Sequence, residues 1–156
     1  MWVGPREDGQ TGMAYNGRAQ KYLAIDSNVL VAYLDRDHPQ HSKVERLASK
    51  RVALNPTVIH ETYHALVFKL KWSPEEARLS LREALDDRDN LFLNQTLETT
   101  RIGLALAERY SLGGRDSLIL ANYMSPSVSY MLTFDKTLLS IGRAVFGRRK
   151  LTIRSP

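Results

Sequence analysis

Short apolar runs recur along the chain with helix-like stretches between them: Tyr22-Leu23-Ala24-Ile25, Val52-Ala53-Leu54, Leu91-Phe92-Leu93 and Tyr130-Met131-Leu132-Thr133. The first is apolar on both faces, so a strand formed there needs cover above and below, as in a parallel sheet between two helical layers. Strands alternating with helices lead to the same architecture. The expected fold is therefore an α/β domain, a three-layer α/β/α sandwich around a central, mostly parallel sheet. Helices are expected from Ser27 or Asn28 through Leu34, from Ser42 to about Lys50, from Pro56 to about Trp72, and from Thr99 to Tyr110. Ser73-Pro74-Glu75-Glu76 joins a capping serine, a proline at the first helical position and a glutamate three residues on, and starts a helix reaching about Asp86. Gly113-Gly114 breaks the chain before the helix at Asp116, which stops before Pro126, and Lys150–Ile153 reads as a short fifth strand. Residues 1–20 hold four of the nine glycines with almost no apolar pattern. They read as a flexible leader, with Met13 as an alternative start, ahead of a single domain at 21–156.

Four acids fall where such a sheet gathers ligands, outside the carboxyl ends of its strands. Asp26 ends the first run, Glu61 lies in the helix after the second, Asp116 opens its helix, and Asp135 follows the last run. Taken singly, each has a plain structural explanation. Asp26 is a favoured capping residue, Asp116 answers a helix dipole, Glu61 suits a solvated helix face and Asp135 a turn. Together at one edge they would repel one another unless a hard cation lay among them, and Mg²⁺ or Mn²⁺ favours such oxygen ligands. Asn28 and Thr133 stand where polar side chains could orient a carboxylate or a water.

Charge points the same way. The chain has 22 basic and 17 acidic residues, a net +5; without the four acids the balance is 22 against 13, or +9. A basic body around an acidic pocket suits a polyanion held by its backbone and cut at a metal. The candidate backbone contacts are Arg115, beside Asp116, and Arg148, Arg149 and Lys150 in a tail that also carries Arg143 and Arg154. The absence of cysteine excludes disulfides, thiolate metal sites and cysteine nucleophiles, and fits a reducing compartment. No apolar run approaches the roughly 20 residues of a membrane span.

The pieces Ala24-Ile25-Asp26-Ser27-Asn28-Val29-Leu30, Glu61, Arg115-Asp116-Ser117-Leu118-Ile119-Leu120-Ala121 and Leu132-Thr133-Phe134-Asp135, with the loop Asp37-His38-Pro39-Gln40-His41, resemble the PIN domain family. Within it they are similar to the small stand-alone VapC-like toxin ribonucleases, over about residues 21–142. Phe134, Leu138 and Leu139 depart from the usual pattern after the last strand. The resemblance implies a metal-dependent endoribonuclease, the cytoplasmic toxin of a toxin–antitoxin pair, using Mg²⁺ or Mn²⁺. Asp26 and Asp116 would be direct ligands, with Glu61 and Asp135 binding directly or through water. It further implies 5′-phosphate and 3′-hydroxyl products, a homodimer, an RNA substrate and an antitoxin protein that blocks the pocket.

Two other readings remain open on the residues. His60-Glu61-Thr62-Tyr63-His64 matches H-E-x-x-H, which on a helix could hold zinc for a metalloprotease. Its extended form would need glycine at 67 and histidine at 70, where Val67 and Leu70 stand, and it leaves Asp26, Asp116 and Asp135 without a role. The other is a PIN-fold RNA-binding protein without catalysis. A phosphoaspartate hydrolase would need aspartate where Asn28 stands, and no glycine-rich phosphate loop or G-x-S-x-G elbow occurs.

Overall fold

The computed structural model describes residues 21–156, so the expected leader lies outside the described residues. The element order is β1 (Tyr22–Ile25), α1 (Ser27–Leu34), α2 (His41–Val44), β2 (Val52–Leu54), α3 (Pro56–His64), α4 (Pro74–Asp86), β3 (Leu91–Phe92), α5 (Leu97–Tyr110), α6 (Gly114–Tyr123), β4 (Val128–Leu132), α7 (Lys136–Ile141), β5 (Arg143–Phe146) and β6 (Arg149–Arg154). The sheet runs β3-β2-β1-β4-β6-β5. All neighbours are parallel except β5 and β6.

Chain order reverses between β1 and β4. From β1 the chain steps outward to β2 and β3, then returns past β1 to β4 and β6. With right-handed crossovers, outward and returning steps put their helices on opposite faces. The α1–α4 group therefore covers one face and α5–α7 the other, giving the α/β/α sandwich. The strands between them carry the core: Ala24, Ile25, Ala53, Leu54, Met131 and Leu132 are all buried. The reversal also opens a crevice at the carboxyl ends of β1 and β4, where ligands of open α/β sheets bind.

Helix starts follow the local chemistry. The Asn55 carboxamide accepts from Val58 N at 2.9 Å to cap α3, and Ser73 with Glu76 forms the expected reciprocal cap of α4. At α5 the cap is Thr96 paired with Thr99, so this helix begins at Leu97, two residues before its expected start. Gly103 sits where α5 crosses α6; a Cβ there would lie 3.3 Å from the Leu118 Cα, and its absence lets the two helices pack closely.

Several elements differ from the sequence expectation. The helix after the polar loop is only His41–Val44, tightening into a 3₁₀ turn at Glu45–Ser49. The expected Pro56–Trp72 helix is regular to His64, widens into a π turn at Ala65–Lys69, and stops where Lys71 adopts φ +61°. β4 starts earlier, at Val128, and leaves Thr133 outside the strand. The basic tail is a hairpin: β5, which was not expected, pairs antiparallel with β6 through Gly147-Arg148, with Gly147 at φ +56°. Such a two-residue turn needs positive φ at a position that glycine fills without strain.

Candidate metal centre

Asp26 is the first residue beyond β1 and the cap of α1. Its Oδ1 accepts from Ser27 N at 2.8 Å and its Oδ2 from the Thr133 hydroxyl at 2.7 Å. The capping role anticipated for Asp26 thus coexists with a second bond that ties it to the end of β4. Thr133, fully buried, is the junction: its oxygen also accepts from Asn28 Nδ2 at 3.3 Å and from Asp135 N at 3.0 Å. Asn28 returns the link, its Oδ1 accepting from Phe134 N at 3.1 Å. These bonds clamp the end of β1 to the end of β4. Asp135 in turn caps α7, accepting from Leu138 N at 2.9 Å.

Two further residues shape the centre without having been singled out in the sequence. The Tyr123 hydroxyl, deep in the core, donates to the Ile25 carbonyl at 2.8 Å and fixes the last peptide of β1. The Ser27 hydroxyl donates to Glu61 Oε2 at 2.9 Å and draws α3 towards Asp26. Ser27 was visible as part of Asp26-Ser27-Asn28; nothing local marks Tyr123. Glu61 Oε1 lies 3.3 Å from Arg115 Nε at the start of α6.

The electrostatics tie the acids together. Burial, with Asp116 and Glu61 nearby, pushes the Asp26 carboxyl up to about 6, against the pull of its hydrogen bonds from Thr133 and Ser27. Asp116 is also raised, first by partial burial, then by Asp135 and Glu61, with Arg115 opposing. Asp116 is therefore the acid coupled to the other three, which come from separate elements. A cleft of about 550 Å³ opens beside them: Glu61 and Asp116 line its wall with Ser27, Asn28, Arg115 and Phe134, whereas Asp26 and Asp135 lie behind that wall. His38 and Gln40, from the polar loop, line the same cleft; His41 holds that loop to α1 through Nδ1 and the Ala32 carbonyl at 2.8 Å.

Among the described residues, no three His, Cys, Asp or Glu side chains are already gathered as a ligand set. The donor set nonetheless fits a hard divalent ion. It is all carboxylate oxygen, one member is buried at a cost to its ionised form, and Mg²⁺ needs only one or two protein carboxylates while keeping several waters.

The remaining candidates do not all meet there. His60 and His64 are both exposed on α3, and the His64 ring packs against Phe68 with centroids 4.9 Å apart. His64 reaches the rim of the acidic cleft, and a neighbouring groove is lined by His60 and His64 with Glu61 between them in sequence. Because β6 runs parallel to β4, Arg149 and Lys150 lie at the amino edge of the sheet with Arg148 in the turn before them. At about 3.3 Å per residue, that is roughly 16 Å along β6 from the carboxyl edge. Arg149 pairs there with Glu98 at 2.6 Å. Arg154 ends β6 at the carboxyl edge, its guanidinium 4.4 Å above the Tyr130 ring.

Comparison with known proteins agrees with this architecture. The PIN domain family profile matches residues 23–144. VapC20 of Mycobacterium tuberculosis, a sarcin–ricin loop cleaving toxin, superposes with a TM-score of 0.66 at 17% identity, covering 77% of this chain and 95% of that one. VapBC2 from Rickettsia felis, solved with a DNA fragment from its promoter, gives 0.58 at 16% identity, over 86% of this chain and 98% of that one. A toxin–antitoxin complex from Klebsiella pneumoniae gives 0.57 at 17% identity, over 76% and 92%. No curated protein matches the chain. At these identities the neighbours speak for the fold, and the profile, spanning most of the chain, decides the family: the chain belongs to the PIN domain family.

Proposed function

We propose that the protein is a Mg²⁺- or Mn²⁺-dependent endoribonuclease and the cytoplasmic toxin of a toxin–antitoxin pair. The observation that supports this reading is electrostatic: near the sheet's reversal point Asp116 is charge-coupled to Asp26, Glu61 and Asp135, and Asp26 is buried with its carboxyl pushed up to about 6. The VapC and VapBC neighbours support the toxin role and an antitoxin partner.

In this reading Asp26 and Asp116 hold the ion directly, and Glu61 and Asp135 hold it directly or through water. A bound ion of this kind lowers the pKa of a coordinated water and offsets charge on a phosphate. Thr133 and Asn28 keep the Asp26 carboxylate in one orientation, because its Oδ2 has the Thr133 hydroxyl as a fixed donor. Arg115, at the cleft wall, meets the RNA backbone, and Arg148, Arg149 and Lys150 would make distal backbone contacts only. Water attacks phosphorus in line and the bond to the 3′ oxygen breaks, leaving a 5′-phosphate and a 3′-hydroxyl. No protein nucleophile takes part. The working unit is a homodimer.

The test is RNA cleavage by purified protein with Mg²⁺ or with EDTA, alongside Asp116→Asn. Cleavage should require the metal and vanish in the variant while its circular dichroism is retained. Equal cleavage in EDTA, or by the variant, would overturn the metal reading. Metal-responsive RNA binding with no cleavage under any condition would assign the non-catalytic role instead.

A further inference from the structure

Glu61 has no free oxygen in this structure. Oε2 accepts from the Ser27 hydroxyl at 2.9 Å, and Oε1 faces Arg115 Nε at 3.3 Å. Among the described residues, Arg115 is the cation in ion-pair contact with any of the four acids. The two partners are placed very differently. Ser27 follows the Asp26 cap directly and is fixed with it. The Arg115 side chain is 80% exposed, against 19% for Glu61, and it follows Gly113 and Gly114, where even an added Cβ would meet nothing within 4 Å. It has room to swing away.

We propose that Arg115 is a built-in counter-ion of the acidic cluster, exchanged for the divalent ion: metal loading displaces its guanidinium from Glu61 and turns it into the cleft. This rests on the metal reading of the site given above. The physical basis is competition. An ion that takes Glu61 as a ligand, or shares its charge, removes the reason for the arginine to stay. An exposed pair of this kind resists displacement only weakly. The freed guanidinium remains at the wall of the cleft, where a fork of donors matches a phosphate. In this scheme Arg115 neutralises Glu61 until a metal ion replaces it, and its guanidinium is available to phosphate only once the ion is bound.

The test uses Mn²⁺ and the intact chain without RNA, with free Mn²⁺ read by electron paramagnetic resonance. Arg115→Gln should bind Mn²⁺ about two- to five-fold more tightly than the parent, since the ion no longer competes with an ion pair. Lys69→Gln is the control, because Lys69 lines the same cleft without pairing with an acid; it should change the affinity less than about two-fold. Unchanged or weaker binding by Arg115→Gln overturns the proposal, as does an equal gain in Lys69→Gln, which would reduce the effect to overall charge. A parent that binds no Mn²⁺ would remove the metal reading itself, and the exchange with it. Mn²⁺ binding that ignores Arg115 would remove the exchange alone.

Discussion

Replacing Asp26 by asparagine should make the metal-free protein more stable at neutral pH. The Asp26 side chain is held in the core by two hydrogen bonds, yet burial and the neighbouring Asp116 and Glu61 lift its carboxyl from 3.8 to about 6. A rise of that size corresponds to about 3 kcal/mol. The sign follows from proton binding. Between pH 4 and 6 the native state holds a proton on Asp26 that the unfolded chain has lost, so stability falls as pH rises through that window. The full penalty applies above it. Asparagine carries no charge, but only one of its two polar atoms can accept. It cannot serve both the Ser27 N–H and the Thr133 hydroxyl, and the missing bond costs about 1 kcal/mol. The net gain is about 2 kcal/mol, or roughly 5–8 °C in Tm for a domain of this size. Thermal unfolding in EDTA at pH 7.5 and pH 4 would show it. Asp26→Asn should melt higher at pH 7.5. At pH 4 it should be level with or slightly below the parent, because there the native parent carries Asp26 protonated and pays little for its burial. Added Mg²⁺ should then raise the Tm of the parent and leave the variant in place. A variant less stable than the parent at both pH values would refute the reasoning, because the capping bonds would then outweigh burial of the charge.

Thr133→Val should cost about 2–3 kcal/mol by urea denaturation, since one buried hydroxyl donates to Asp26 and accepts from Asn28 and Asp135; Thr133→Ser should recover most of it. His60→Ala combined with His64→Ala should leave RNA cleavage within several-fold of the parent, both rings being exposed on α3. Stoichiometric zinc in the parent, absent from this double variant together with peptide hydrolysis, would instead support the protease reading. Replacing Arg148, Arg149 and Lys150 by alanine should leave cleavage at saturating RNA unchanged, because they lie at the far edge of the sheet. For every RNA phosphate that these side chains neutralise, the substitution should flatten the log–log salt dependence of binding by about 0.7. A collapse of saturated cleavage would put the hairpin at the active site.

What the sequence determined by itself was whatever short-range chemistry decides. Asp26 announces itself because a cap acts within three residues of its own position, as does the Ser73–Glu76 box, whereas Asp135, read as a turn residue, proved to cap the unexpected α7. The alternation of apolar runs and helices was enough for a parallel sheet, and a parallel sheet is enough to send strand-end acids to one edge. Tertiary structure decided everything that depends on partners distant in the chain. Asp26 meets Thr133 across 107 residues, Glu61 meets Ser27 across 34, and Tyr123 reaches Ile25 across 98. No local pattern encodes those pairings, which exist only once β2 and β4 flank β1 in register. β5 stayed hidden for a related reason. Arg143–Phe146 is an edge strand with both ends exposed, and only its pairing with β6 makes it a strand. That same pairing, with β6 parallel to β4, carried Arg148, Arg149 and Lys150 away from the acids, because strand direction fixes which edge a residue occupies and composition does not.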